Sequence, residues 1–419
     1  MAKARSPLSF RDYRLFWIAR FAGVLAQVGM VVVIGWQVYD IARTDYGMDP
    51  KAAAFQLGLI GIAQFVPLLL LMPVAGWMAD RFDRRIVSVS AISLDIANAL
   101  ALGWMTAHDT LTLPALFAIA ALHGVVRTFN GPSLSALGPN LVPAASLPKA
   151  IAMSSIAWQT GAILGPAFGG LAYAASPALP YWIAASLLAI AAVSVISIRP
   201  FARISIKGES HPIRQMIDGL AYVRGHRFLL GAITLDLFAV LLAGATALLP
   251  VYARDILKVG PEGLGWLRGA PALGATVMAL WFSFRPLSHN VGAKMLGAVI
   301  VFGAATIVFG YSTKMWLSLA MLVILGAADM LSVYVRSSLT QLYTPDEMRG
   351  RVNAVSQLAI SGSNELGEAQ SGLAAALIGP VGAVVVGGAG AIAVTLIWAY
   401  IFPELRRAKT FDPPKELLT

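Results

Sequence analysis

Gly161-Ala162-Ile163-Leu164-Gly165-Pro166-Ala167-Phe168-Gly169-Gly170 lies inside an apolar run from about Ile151 to Ala175. A run of that length crosses a bilayer as a helix, for which about 20 apolar residues suffice. The glycines at 161, 165 and 169 are four apart, so they fall on one side of the helix and leave a groove without side chains. In lipid such a face lets another helix approach closely. Pro166 is tolerated there because neighbouring groups re-satisfy the carbonyl it frees. An ordinary packing motif explains spaced glycines, but the full ten-residue spelling is far more restrictive.

The same stretch exposes an internal repeat. Displaced by 202 residues, Pro143, Ser154, Gly165, Gly170, Leu171 and Ala172 land on Pro345, Ser356, Gly367, Gly372, Leu373 and Ala374. Gly124 lands on Gly326, and Arg127 on Asp329. Two halves built alike and fused in tandem are the plan of many secondary transporters. The copy is not faithful: Glu365 stands where the first half has Ile163, and Glu368 where it has Pro166. The second half keeps the helix and puts carboxylates in it.

Composition agrees with a membrane protein. Of 419 residues, 58% are hydrophobic and only 12% charged, about half the usual charged share. There are no cysteines, so neither a disulfide nor a thiolate metal site is possible. The N-terminus carries Lys3 and Arg5 but no short apolar core with a cleavage site, so no removable signal peptide is expected. Twelve apolar segments are read near 15–40, 55–79, 87–107, 112–136, 150–175, 180–199, 228–252, 264–283, 292–312, 315–336, 353–378 and 381–402. The fold class expected is all-α, two bundles of six membrane helices. The first bundle spans 1–200, a linker 201–227, the second bundle 228–403 and a tail 404–419. Ile213, Met216, Ile217 and Leu220 in the linker recur at helical spacing, as an amphipathic helix on the membrane surface requires.

Lys and Arg concentrate on one side: the N-terminus, the loop at 81–85, the linker, 349–351 and the tail. The positive-inside bias then places both termini in the cytoplasm. The formal charge of +10 is thereby a topology signal facing anionic lipid, and no nucleic-acid partner is needed to explain it. No HExxH, GxSxG or GxxxxGK[ST] motif occurs, which argues against an enzyme and against a P-loop ATPase. Of the five histidines only His123 is expected inside the membrane.

The loop after segment two reads Gly76-Trp77-Met78-Ala79-Asp80-Arg81-Phe82-Asp83-Arg84-Arg85. Positive-inside bias explains three arginines but not Gly76 and Asp80 at fixed offsets. An acid beside Arg81, Arg84 and Arg85 suits a cytoplasmic gate that closes in one conformation. Here the chain resembles the major facilitator superfamily over essentially its whole length. The loop is similar to that family's G-x-x-x-D-R-x-x-R-R signature, with Asp83 where many members have glycine. Arg127-Thr128-Phe129-Asn130-Gly131 resembles its R-x-x-Q-G motif, with Asn for Gln. Gly161–Gly170 looks like the motif of its proton antiporters, the drug exporters. Phe10–Arg20 and Thr344–Arg351 are similar to the branch of enterobactin exporters and macrolide efflux proteins.

The resemblance implies that segments one, four, seven and ten line a central cavity. That places Arg20, Arg127, Asp236 and Asp329 on cavity helices, with Gln27, Trp36, Gln37, Phe129, Asn130, Phe238 and Tyr334 as a polar and aromatic lining. Such a lining suits a bulky, partly apolar solute better than a sugar. Ionisable residues at membrane depth are costly and are functional candidates by default. Glu365 and Glu368 are three apart, hence neighbours on one helix face, about a dozen residues or ~18 Å from the cytoplasmic end. Two close carboxyls in a poorly solvated place should not both be ionised, which is what a proton carrier needs. Asp236 and Asp329 are the competing carriers, either of them with Arg127 as a partner; Asp95, with Asn98 one turn on, reads as structural, and Arg268 as snorkelling or gate-forming.

The expectation is a proton-driven exporter of a siderophore- or drug-like amphiphile, monomeric, in a bacterial inner membrane, with no cofactor or metal. Its partners are the solute and the surrounding lipid. A lysophospholipid transporter or an uptake symporter is the nearer alternative; a membrane enzyme or a non-transporting sensor is the more distant one.

Overall fold

The computed structural model describes residues 6–200, 212–285 and 287–411; within the helices, Gly76 and Asp80 fall outside the set whose side chains are described. Among the described residues the chain is helical and has no strand. In order come α1 (Arg11–Thr44), α2 (Pro50–Arg81), α3 (Arg84–Ala107), α4 (Leu113–Leu137), α5 (Leu147–Ala175), α6 (Leu179–Ile196) and α7 (Pro212–Gly225). The second half gives α8 (Arg227–Leu242), α9 (Leu249–Val251), α10 (Gly260–Phe284), α11 (Val291–Tyr311), α12 (Met315–Leu342), α13 (Asp346–Ile378), α14 (Pro380–Ile401) and α15 (Pro403–Arg407). All but α7, α9 and α15 match the twelve apolar segments of the sequence. Among the described residues nine spans have a window apolar enough to cross a membrane. The other three, α5, α10 and α13, are diluted by glycine, proline or charge, the composition of helices that face other helices.

Helix ends follow local chemistry. Proline occupies the first turn of α4, α6 and α14, where its missing N–H costs nothing. Asp83 caps α3, its Oδ1 accepting from the Arg85 amide at 2.9 Å. Gly379, at φ 83°, ends α13 and opens α14 in a backbone conformation that glycine adopts without strain. The apolar run at 353–378 understates α13, which starts at Asp346 because helical hydrogen bonding continues past the apolar part.

Segment seven departs from the sequence reading, which takes 228–252 as one span. Here α8 stops at Leu242 and the chain continues through a 3-10 turn (Ala245–Leu248), α9 and a π turn (Tyr252–Ile256). Gly244 packs so tightly that a Cβ there would lie 2.7 Å from the Gly367 carbonyl oxygen and 2.6 Å from Ser371 Oγ. Pro250 stands in the first turn of α9, where its missing N–H costs nothing.

The contacts divide into two units. The first takes in the described residues of Met1–Tyr46, Ala63–Glu209 and Val259–Gly269; the second those of Gly47–Ile62, Ser210–Lys258 and Ala270–Thr419. In the first unit α1 packs on α5 and α6, and α3 on α4 and α6. In the second α11 packs on α12 and α14, and α13 on α8, α14 and α7. The divisions fall inside α2 and α10 for a reason visible at the glycines. A Cβ at Gly58 would lie 2.9 Å from Gly372 Cα on α13, and one at Gly265 2.7 Å from the Pro166 carbonyl on α5.

The repeat seen in the sequence recurs as matched contacts. Gly165 meets α1 at Leu25 and Gly29, while its counterpart Gly367 meets α8 at Val240 and Leu241. Gly170 meets α10 at Pro261 and Gly265; Gly372 meets α2 at Ala54 and Gly58. Gly124 meets the α2 backbone at Gln64, and Gly326 the α10 backbone at Pro271. Gly165 and Gly367, and likewise Gly124 and Gly326, thus open matching helix pairs within their own halves, whereas Gly170 and Gly372 each meet a helix contributed by the other half of the sequence.

In the linker, α7 seats Gly219 against the Arg351 carbonyl and buries Val223, with Asp218 Oδ2 3.3 Å from Arg351 Nη1. Ile217 and Leu220 stay 58% and 57% exposed, an apolar stripe turned outward as on a helix at a lipid–water boundary. Residues 201–211 of the expected linker lie outside the described residues.

Candidate transport site

On α13, Glu365 is buried at 5% exposure and Glu368 is half-buried. Between them Gly367 carries the contact with α8, and one turn on Ser371 meets Gly244. The break in α8 therefore lies against the acid-bearing part of α13. The opposite contact is made by α2: a Cβ at Gly61 would sit 2.6 Å from the Glu365 carbonyl oxygen and 3.0 Å from Glu368 Cβ. Glycine at 61 leaves the space in which Glu368 stands. These acids thus lie in a close helix–helix seam, whereas the sequence alone gave only their separation along one helix.

Asp236 on α8 is ion-paired with Arg336 on α12, the two side chains 12% and 4% exposed. Arg336 was missed by sequence reasoning because it sits at the edge of its apolar segment. The available signal was its spacing from Asp329, two turns earlier on the same helix. Asp329 itself is half-buried and makes no hydrogen bond or ion pair to another described residue. Phe238 is 38% exposed beside Trp398, with ring centres 5.3 Å apart. Tyr334 stacks on Phe282 at 4.7 Å and meets the edge of Phe411.

In the first unit, Gln27, Asp95 and His123 converge from α1, α3 and α4. Asp95 Oδ2 accepts from Gln27 Nε2 at 2.9 Å, and Oδ1 lies 2.8 Å from His123 Nδ1. Asp95 is fully buried and His123 1% exposed. Gln27, expected as cavity lining, is thus spent on this bond. Asp95→Ala leaves two buried polar partners unsatisfied and should destabilise by about 3 kcal/mol, read from chemical unfolding in detergent. A loss below about 1 kcal/mol would show that the network is not a structural tie.

The remaining residues of the first unit separate by role. Trp36 is 8% exposed, inside the core of its unit. Gln37 donates to Thr106 Oγ1 at 3.2 Å and accepts from the Tyr181 hydroxyl, tying α1 to α3 and α6. Arg127 is exposed and donates to Gln64 Oε1 at 3.2 Å. Phe129, two residues further on, is half-buried, and Asn130 is 9% exposed with its Oδ1 unpartnered. Arg85 pairs with Asp83 at 2.6 Å and donates to the Ile198 carbonyl beyond α6, so it is held within its own unit. Arg81 is exposed and Arg84 half-buried. Arg20 lines a cavity described further below.

Gly161, Gly165 and Gly169 face α1. A Cβ at these positions would lie 2.9 Å from Val24 Cγ1, 2.9 Å from the Leu25 carbonyl oxygen and 2.8 Å from the Gly29 carbonyl oxygen. Pro166, between them, is buried and presents its carbonyl to Gly265. Two of the three blocking atoms are backbone, which cannot step aside. Gly165→Leu should therefore cost about 3 kcal/mol or more. Leu164→Ala, at a 36% exposed neighbour, should stay within about 1 kcal/mol. Equal thermal midpoints for the two variants would show that the close approach is dispensable.

The sequence profile of the transmembrane secretion effector family matches residues 2–414. An enterobactin exporter of Escherichia coli is 25% identical over 406 residues, covering 96% of this chain and 94% of that protein. The enterobactin exporter of Shigella boydii is 24% identical over 404 residues, with the same coverage of 96% and 94%. Among solved structures, a bacterial homologue of the human lysosomal transporter Spinster superposes with a TM-score of 0.73 at 14% identity, over 94% of this chain and 98% of that one. A POT family transporter gives 0.70 at 12% identity, over 96% and 100%. These two carry the fold alone. Twelve long helices among the described residues, a twofold repeat in helix contacts and a whole-length family match together make this an integral membrane transporter, not an enzyme: the chain belongs to the transmembrane secretion effector family of the major facilitator superfamily.

Proposed function

We propose that the chain exports an amphipathic small molecule, siderophore- or drug-like, in exchange for protons by alternating access. The observation that carries this reading is the position of Glu365 and Glu368 beside the interrupted helix α8. Transporters build midplane sites where helices are discontinuous, because freed backbone groups there can meet cargo and coupling ions. A carboxyl in such a seam changes its surroundings when α8 or α2 moves against α13, the link a proton carrier needs. The exposed Phe238 offers an aromatic surface to a bulky apolar solute. The enterobactin exporters among the relatives support outward transport of a siderophore-like cargo. A second reading places the proton on Asp329, the half-buried acid without a partner. Asp236 is the weaker carrier, since protonating it breaks its pair with Arg336.

The transporter is oriented with both termini in the cytoplasm of a bacterial inner membrane, functions as a monomer and draws on the proton gradient, with no prosthetic group. Asp80 and the neighbouring arginines serve as the cytoplasmic gate. Purified protein in vesicles with an imposed pH gradient tests the coupling. Uphill accumulation of enterobactin or an amphipathic dye is expected, collapsing when a proton ionophore is added. Accumulation that ignores the ionophore would remove proton coupling.

A further inference from the structure

Arg20 lies nine residues after Arg11, the start of α1, hence ~14 Å along the helix. It lines a cavity of about 170 Å³, walled by α1, the end of α4 and the start of α5. That is room for several waters or a small anionic group. Tyr13, Ser135, Ser154 and Ser155 bring hydroxyls to the same wall, and none of the lining residues is acidic. Arg20 Nε is buried without a hydrogen-bond partner, and no described carboxylate pairs with the guanidinium. Tyr13 is tied elsewhere, its hydroxyl donating to the Ala150 carbonyl, and Ser155 donates to the Ile151 carbonyl. Ser135 and Ser154 make no side-chain hydrogen bond to a described residue.

Arg20 is half-buried, and a guanidinium partly withdrawn from water without a counter-charge is costly, since arginine cannot shed its proton to escape the cost. The chain answers that cost at Arg336 with Asp236, and at Arg85 with Asp83. At Arg20 it supplies only space and hydroxyls. We propose that this cavity binds the anionic head of an amphiphile, a carboxylate, sulfonate or phosphate, with Arg20 as its charge partner and Ser135 and Ser154 as further donors. A planar guanidinium forks onto two oxygens of such a group, and the serines satisfy the rest. The anion can come from a cytoplasmic solute or from a lipid headgroup, which share this chemistry. The solute source rests on the export reading above; the site itself does not.

The test compares two probes with one scaffold, 8-anilinonaphthalene-1-sulfonate and the uncharged N-phenyl-1-naphthylamine, titrated by fluorescence against the full chain in phosphatidylcholine nanodiscs. Arg20→Gln is expected to weaken the sulfonate at least tenfold and leave the neutral probe within twofold. Arg20→Lys should recover most of the loss. Ser154→Leu, which fills the cavity with Arg20 in place, should weaken the sulfonate as Arg20→Gln does. Without an anion, Arg20→Gln should raise the thermal midpoint by several degrees, because it removes an uncompensated charge. Sulfonate affinity unchanged in Arg20→Gln, or both probes falling in parallel, overturns the site. In phosphatidylglycerol nanodiscs, competition with the sulfonate assigns the head group to lipid, and its absence to a solute. Transport is not needed for any of these readings, so a failure of gradient-driven export in vesicles would count against the export reading and leave the anion site standing.

Discussion

Arg336→Leu alone should destabilise the protein by about 3–5 kcal/mol, and Asp236→Leu together with Arg336→Met should restore most of that loss. The asymmetry comes from desolvation. With Arg336 gone, Asp236 remains in a site where it is 12% exposed and has lost its counter-charge. With both replaced by apolar groups of similar volume, nothing charged is left to solvate. Chemical unfolding in detergent reads the stabilities. A double variant no more stable than Arg336→Leu would mean that the pair contributes more than the sum of its solvation costs. Vesicle transport by the double variant then decides the pair's role. In our reading it is a brace between α8 and α12, so uphill export survives. Loss of uphill export at full stability would move the proton to Asp236.

The fold was legible because small-residue spacing is a local signal with a global consequence. Gly165 and Gly367 could be matched across 202 residues by letters alone, and the structure gives them the same job in each half. The break after Leu242 was not legible. Hydropathy continues unbroken through Ala243–Leu249, and the close packing of Gly244 on Gly367 is a contact between distant parts of the chain that no local pattern announces. Side-chain partners were legible only in part. Asp95 was recognised as structural, but Gln27 was assigned to a cavity because its acceptor lies 68 residues away on another helix. Arg336 was lost to a boundary: it is the last residue of the apolar segment 315–336, although the helix runs on to Leu342 and buries that charge. Arg85 read as one of three equivalent gate arginines until its bond to the Ile198 carbonyl distinguished it from the others.

Glu365→Gln and Glu368→Gln, singly or together, should reduce uphill gradient-driven export to background while leaving cargo binding within a few-fold of wild type. Glutamine keeps the shape and most of the hydrogen bonding of glutamate, so a seam held by packing survives the change. What it cannot do is take up and release a proton. The two acids flank Gly367, whose carbonyl meets Gly244 at the break in α8, and Glu368 faces Gly61 of α2. Any movement of α8 or α2 against α13 therefore changes the surroundings of both carboxyls at once. That is the physical link between a conformational step and proton exchange. A single acid retained in either single variant leaves the pair incomplete. Gly61→Ala is an independent approach: its Cβ would press on the Glu365 carbonyl at 2.6 Å and on Glu368 Cβ at 3.0 Å, and should impair uphill export with both acids still present. Downhill exchange of cargo, which needs no net proton movement, should persist in the glutamine variants. Asp329→Asn is the comparison that decides the assignment. If the double glutamine variant exports uphill at the wild-type rate and Asp329→Asn does not, the proton travels on α12, and the seam between α13 and α8 is a hinge only.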